Sequence, residues 1–264
     1  MTNLSIILRR LPMAAICCAL LAPWAAWAQP AGAPSTVVKA GLGLVLNDEG
    51  YKGIGLKTMV IPGLQVQSSR FSLRGTSAEL IVTDPSNRDF SVNLRADVLL
   101  QGYKSADGAI FNGMATRKPS VLVGVGTKFI TPVGQVWLEA GSDVAGASKG
   151  LRTEVGLGWR FDTASALGKW SLTPYVSAQN NSAKLVNYYY GVTAVEATAG
   201  RSAFDAGSTT NFNLGMSAST ELGSNFSLVL GARYRSYGSS IRQSPLVDSA
   251  GGLSGNASLM YRLY

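Results

Sequence analysis

An alternation of apolar and polar residues recurs three times, almost unbroken, between Thr209 and Tyr264. Within Asn211–Leu222, the residues Phe212, Leu214, Met216, Ala218 and Leu222 alternate with Asn211, Asn213, Gly215, Ser217, Ser219 and Glu221. Phe226, Leu228, Leu230, Ala232 and Tyr234 then oppose Ser227, Gly231, Arg233 and Arg235, with Val229 as the exception. Finally Leu253, Ala257, Leu259, Tyr261 and Leu263 oppose Ser254, Asn256, Ser258, Met260 and Arg262. Strand side chains point to opposite faces with period two, so each segment reads as a strand of about ten residues with one apolar face. Tilted by about 45°, ten residues at ~3.3 Å each cross a hydrocarbon layer, whereas a soluble strand has about five or six. The length predicts a transmembrane barrel; the competing architecture is a soluble sandwich or lipocalin-like barrel, whose strands alternate too.

The start of the chain favours the membrane. Arg9 and Arg10 precede the apolar run Leu11–Leu21, and Ala26-Trp27-Ala28 offers a small-x-small cleavage pattern before Gln29. This predicts a secretory signal peptide over 1–28, too short in its apolar run to span a membrane. Cys17 and Cys18 leave with it, and Ile16 stands where a lipid-anchor signal wants a small residue. The mature chain then has neither cysteine nor histidine, which removes disulfides, the usual zinc ligands and histidine-based triads. No cofactor or metal is expected. Losing Arg9 and Arg10 lowers the formal charge from +8 to +6. In an envelope protein that excess suits lipid headgroups, lipopolysaccharide, pore lining or plain solvation, and not nucleic acid. Residues 29–35 read as a flexible lead-in and 36–264 as one all-β domain; with no long apolar run after Ala28, the outer membrane is the destination.

Eleven segments alternate recognisably: Thr36–Leu46, Leu56–Gln67, Arg70–Thr83, Phe90–Gln101, Ser120–Ile130, Gln135–Asp143, Leu151–Asp162, Trp170–Gln179 and the three already named. Pro62 should mark a bulge or bend, and Gly75 either kinks one strand or divides two. Closed single-chain barrels have an even strand number. Twelve is therefore expected, with the extra strand near Pro62–Thr83, and ten is the alternative. The long connections Lys104–Pro119, Asn180–Ser208 and Gly238–Gly251 should lie outside, and the short ones, Thr131–Gly134 and Gly223–Asn225, on the periplasmic side.

Phe90, Phe129, Trp159, Phe161, Trp170, Phe212, Phe226, Tyr234 and Tyr261 sit near strand ends, as interface belts require. The opposite faces carry Arg95, Asp97, Glu139, Arg152, Glu154, Arg160, Glu221, Arg233, Arg235 and Arg262. A charge at the bilayer midplane costs about 2–4 kcal/mol, so these are the candidate lumen-lining residues. Ten to twelve strands leave a narrow interior, which a network of ion pairs would fill; a small selective pore is the sharper alternative. Nothing in the chain forms a catalytic constellation, so an enzyme is not expected.

Two stretches carry a family resemblance. Asn187-Tyr188-Tyr189-Tyr190-Gly191-Val192-Thr193 resembles the YYGV motif of the MipA/OmpV outer membrane proteins, and Gln243-Ser244-Pro245-Leu246-Val247-Asp248 resembles that family's SP-hydrophobic-V segment. The motif residues are Tyr189, Tyr190, Gly191, Val192, Ser244 and Pro245. The resemblance implies an outer membrane barrel of the type whose best-described member is a scaffold joining a lytic murein transglycosylase to a murein synthase. Those two enzymes are thus the implied partners, with adhesin or channel roles as alternatives. The tyrosines cannot all face inward on a strand, so this segment is expected to fold over the barrel mouth as packing, with Thr193 as the N-cap of a short helical turn through Ala199.

Overall fold

The computed structural model describes residues 36–87, 89–165 and 168–264; the expected signal peptide and lead-in lie outside the described residues. Thirteen strands form one antiparallel sheet: β1 (Val37–Asn47), β2 (Lys57–Gln67), β3 (Phe71–Arg74), β4 (Ser77–Ile81), β5 (Phe90–Leu99), β6 (Ser120–Thr131), β7 (Gly134–Asp143), β8 (Leu151–Gly158), β9 (Phe161–Ser165), β10 (Gly168–Asn181), β11 (Thr209–Leu222), β12 (Phe226–Ser236) and β13 (Gly251–Arg262). Each pairs with its sequence neighbour except around β9, and β13 closes the ring on β1 with Lys39 opposite Arg262. β8 and β9 share one register against β10, Gly158 opposite Tyr175 and Phe161 opposite Leu172, so together they form a single stave. The barrel therefore has twelve staves, and the even number expected is met.

The extra strand comes from Gly75. Its φ of +57° is a left-handed conformation that side chains disfavour, and it turns the Arg70–Thr83 segment back on itself as the β3–β4 hairpin. Pro62 does not make the expected bulge. β1 and β2 stay in unbroken register from Val37 opposite Gln67 to Asn47 opposite Lys57, with Pro62 opposite Leu42. The reason is that β3 and β4 are too short to reach this level, so Pro62 lies on an edge where no neighbour asks for its missing donor.

Two faces meet two environments. On β11, Phe212 and Leu214 are exposed by 63% and 61%, while the alternating Asn211 and Asn213 are buried. The pattern repeats at Leu42 and Val60; of the expected belt residues, Phe129, Phe161, Phe212, Phe226, Tyr234 and Tyr261 are exposed, while Phe90, Trp159 and Trp170 are half-buried. Inside, large rings lie over glycines of the neighbouring stave: Trp137 on Gly156 and Tyr175 on Gly215, where any Cβ would collide with the ring. The two rings meet edge to face at 6.1 Å inside the barrel, toward the end of the short turns.

The other end carries the long connections and the chain's hydrophobic core. Tyr51, Tyr103, Phe111, Tyr189, Tyr190 and Leu246 are all buried in one cluster above the barrel mouth. The helices α1 (Ala183–Tyr190) and α2 (Ser239–Arg242) form part of it. Among the described residues no helix is long and apolar enough to cross a membrane.

Parity makes a direct prediction. Leu214→Arg should destabilise the inserted barrel by about 2–4 kcal/mol, as expected for a charge facing lipid near the midplane. The check is unfolding by denaturant in lipid vesicles; a loss below about 1 kcal/mol would place this face out of hydrocarbon.

Candidate functional site

The lumen holds its charges in two tiers. In the first, Arg95 of β5 bonds Glu79 of β4 at 2.9 Å, Asp97 of its own strand at 3.2 Å, and Glu139 of β7. Lys128 of β6 reaches Glu79 at 2.5 Å, and Ser77 donates to Asp97 at 2.6 Å. The guanidinium thus ties β4, β5 and β7 together, and Lys128 adds β6 through Glu79; its planar fork of five donors suits several carboxylates at once. A small cavity borders this tier, lined by Arg95, Asp97 and Glu139 and reaching Arg152 and Glu154.

The second tier lies toward the cap. Arg152, Arg233 and Arg235 each donate through Nε to a neutral acceptor: Asn181 at 3.1 Å, Ser254 at 3.2 Å and Asn213 at 3.2 Å. Glu154 is engaged by Gln179 at 2.9 Å. Among the described residues none of these three arginines has a carboxylate within ion-pair distance. A second small cavity is lined by Arg152, Arg235, Asn181, Asn211, Gln101 and Tyr190.

Three charges of the expected lining stand elsewhere. Arg160 does not line the lumen: it pairs with Asp162 at 3.1 Å, and both side chains are 69% exposed. Its parity is inward, but β7 has already turned away at the level of Gly158, so no facing wall encloses it. Glu221 is at the same rim, largely exposed while holding buried Lys39 at 2.8 Å. Arg262 is exposed at the end of β13.

The family-motif residues build the cap. Tyr189 donates to Ser120 at 2.9 Å, and the Tyr189 carbonyl accepts from Tyr51 at 3.1 Å. Ser244 donates to the Tyr190 carbonyl at 2.6 Å, which joins the two motifs directly, and Pro245 follows it in the same turn. Gly191 ends α1, its amide bonded to the Asn187 carbonyl, and Val192 is buried beyond it. Burial pushes the Tyr51 and Tyr190 phenols well above their usual range, and Tyr103, Tyr189 and Tyr237 up to about 12. These rings are neutral packing and hydrogen-bond donors, not proton-transfer groups. Thr193 caps no helix. α1 ends inside the motif at Tyr190, and the Thr193 amide and hydroxyl instead bond Glu196 at 3.2 and 3.0 Å in a closed turn.

Sequence reasoning missed the groups that fasten the cap. Arg117 makes a bidentate pair with Glu196, both bonds 2.9 Å, while donating to the Tyr188 carbonyl at 2.7 Å and lying over the Tyr103 and Tyr188 rings. Although burial opposes it, amides of Ala115 and Thr193 and the Arg117 charge hold the Glu196 carboxyl below its usual range. Glu49 was missed as well. Burial pushes it up to about 7 against Lys57, Arg235, the Gly102 amide and Asn47. Both sit in loops without periodicity, where pairing across some eighty residues leaves no sequence signal. Among the described residues no cluster of His, Cys, Asp and Glu could hold a metal ion.

Comparison with known proteins was informative at this point. The family model for "MltA-interacting protein MipA" matches residues 40–263. The chain is 33% identical over 138 residues to outer membrane protein OmpV of Vibrio cholerae, a match covering 52% of each, so it spans about half the length of that relative. It is 23% identical over 212 residues to the MltA-interacting protein of Escherichia coli K12, covering 80% of this chain and 83% of the relative. Among solved structures, a Pseudomonas aeruginosa FadL homologue aligns over 86% of this chain and 90% of its own, with 9% identity and a TM-score of 0.38.

Two predictions follow from the cap. Arg117→Ala strands a buried carboxylate and should cost about 3–5 kcal/mol locally, seen as faster amide exchange at Tyr103 and Val192 with the strand amides unchanged. Glu49 binds its proton more tightly in the folded protein than its ordinary 4.5, so its contribution is complete below pH 4.5 and lost as pH rises through about 7. Cap stability should therefore fall from pH 4.5 to pH 7.5, and Glu49→Gln should flatten that slope; an unchanged slope in the variant would assign it to another group.

Proposed function

The chain belongs to the MipA family of outer membrane proteins, and on that premise we propose that it is a non-conducting interaction barrel that tethers murein-processing enzymes to the outer membrane. The single observation that carries the reading is the state of the lumen: Trp137 and Tyr175 narrow it at one end, Arg95 cross-links it, and the aromatic cap roofs it. A barrel narrowed at three levels suits attachment better than permeation. The relative bearing the name MltA-interacting protein supports a partnership of this kind, and the family resemblance of the two motifs implies a lytic murein transglycosylase and a murein synthase as the partners. In this reading the cap faces outward, and the enzymes meet the end of the short turns, where the β9–β10 hairpin and the Arg160–Asp162 pair project past β7. Export through a cleaved signal peptide over 1–28 delivers the chain there, and no catalysis is assigned to it.

Two measurements test this. The protein in planar bilayers should carry no steady current, and pull-down from envelope extracts at native expression should recover a lytic transglycosylase and a murein synthase. Recovery should weaken several-fold in the double variant Arg160→Glu, Asp162→Lys. A steady ohmic conductance, or neither enzyme recovered, would overturn the proposal in favour of a channel or an adhesin.

A further inference from the structure

The barrel wall is incomplete on one side. β3 and β4 have four and five residues, and their hairpin pairs only with Gln65–Gln67 of β2 and with 93–97 of β5. Beyond its tip, the Lys57–Leu64 part of β2 has β1 as its one strand neighbour, and β2 does not pair with β5. Two stave positions are missing over about 20 Å of strand length.

Register tells which backbone groups face the gap. Val38 exchanges hydrogen bonds with Tyr264, so the even residues of β1 turn their backbone toward β13. Their partners Thr58, Val60 and Pro62 then turn theirs into the gap, where among the described residues no hydrogen bond reaches them. The opening is framed above by the two loops that flank it. Tyr51 meets Tyr103 at 5.4 Å and Phe111 at 5.1 Å, the Ile54 side chain lies against Gly108, and Lys57 is 3.7 Å from Asp107. It is a window with a lintel. Its height is that of the lipid-facing band, because Leu64 is level with Ala40 and Tyr261, and Lys57 with Asn47 and Ser254.

Behind the window the lining changes. Ile61 lies over Gly43 and Met260 over Gly63 on the inner wall, and Ile54 and Leu99 pack on the cap cluster, so this side of the lumen is apolar where the rest is charged. Gln101, two residues past the end of β5, lines the same cavity as Arg152 and Arg235. That cavity therefore runs from the window jamb to guanidiniums that lack a carboxylate.

We propose that the window admits a single-chain amphipathic anion from the bilayer, its tail against Ile61 and its head on Arg235 and Arg152. An apolar entry at hydrocarbon depth selects a tail, and half-buried arginines with no carboxylate in ion-pair distance select an anionic head. The free amides of Thr58 and Val60 and the carbonyls of Thr58, Val60 and Pro62 give the head polar contacts while it passes through a layer that offers none. The inference is independent of any murein partner, since it concerns the wall and the lumen alone.

The test uses the full chain in phosphatidylcholine nanodiscs, photolabelled with dodecanoate carrying a diazirine at the end of its tail. Adducts should concentrate on residues 56–64 and 97–103, and unlabelled dodecanoate should suppress them where dodecanol does not. The Arg152→Gln, Arg235→Gln pair and Ile61→Arg should each lower saturable labelling by about tenfold, with folding checked by heat-modifiable gel mobility. If either variant fails to insert, the wild-type adduct map alone decides. Adducts spread evenly around the lipid-facing staves, or equal competition by dodecanol, would overturn the proposal, as would undiminished labelling in the folded arginine pair.

Discussion

Backbone amides and carbonyls in hydrocarbon must find their partners within the protein, and almost everything in this molecule follows from that requirement. It forces the strands into a ring, β13 back onto β1, with side chains assigned alternately to lipid and lumen. Once parity is set, the charged residues have nowhere to go but inward, and a narrow interior makes them find one another. Arg95 is the outcome: one guanidinium serving carboxylates from both flanking sides of the lumen. The tethering role assigned above is an extension of the same logic, because a lumen so occupied leaves the surfaces for recognition.

The ring was legible in the sequence because period two survives in any strand that separates two solvents. Phe212, Leu214, Asn211 and Asn213 lie as their spacing required, and the even stave count was available once Gly75 was read as dividing a segment. Pro62 was misread for a physical reason: a missing donor matters only if a neighbour wants it, and whether β3 is long enough to ask is not written at position 62. Arg160 went astray similarly, since parity says which way a side chain points but not whether a wall faces it. The cap was legible only through motif residues. Tyr189 and Tyr190 could be placed over the mouth, whereas Arg117 on Glu196 joins residues whose loops carry no periodic signal.

The two tiers of charge differ in kind. The Arg95 tier is neutralised within itself and behaves as structure, tying β4, β5, β6 and β7 together. Arg152, Arg233 and Arg235 are held by neutral oxygens, an arrangement that orients a guanidinium while leaving its charge unspent. The cavity that Arg152 and Arg235 share with Gln101, beside the incomplete wall, gives the proposed anion a route.

The pairing of Tyr51 with Val247 joins the loop after the first stave to the loop before the last. The cap is consequently the final thing the molecule can make: no stretch of nascent chain contains it, and it assembles only when the two ends of the ring have met. During insertion the lumen stands open to the side where the roof will be, and its arginines remain hydrated until the last seam is sewn. A chain halted before β13 would be a leaky trough, so maturation and sealing are one event in time.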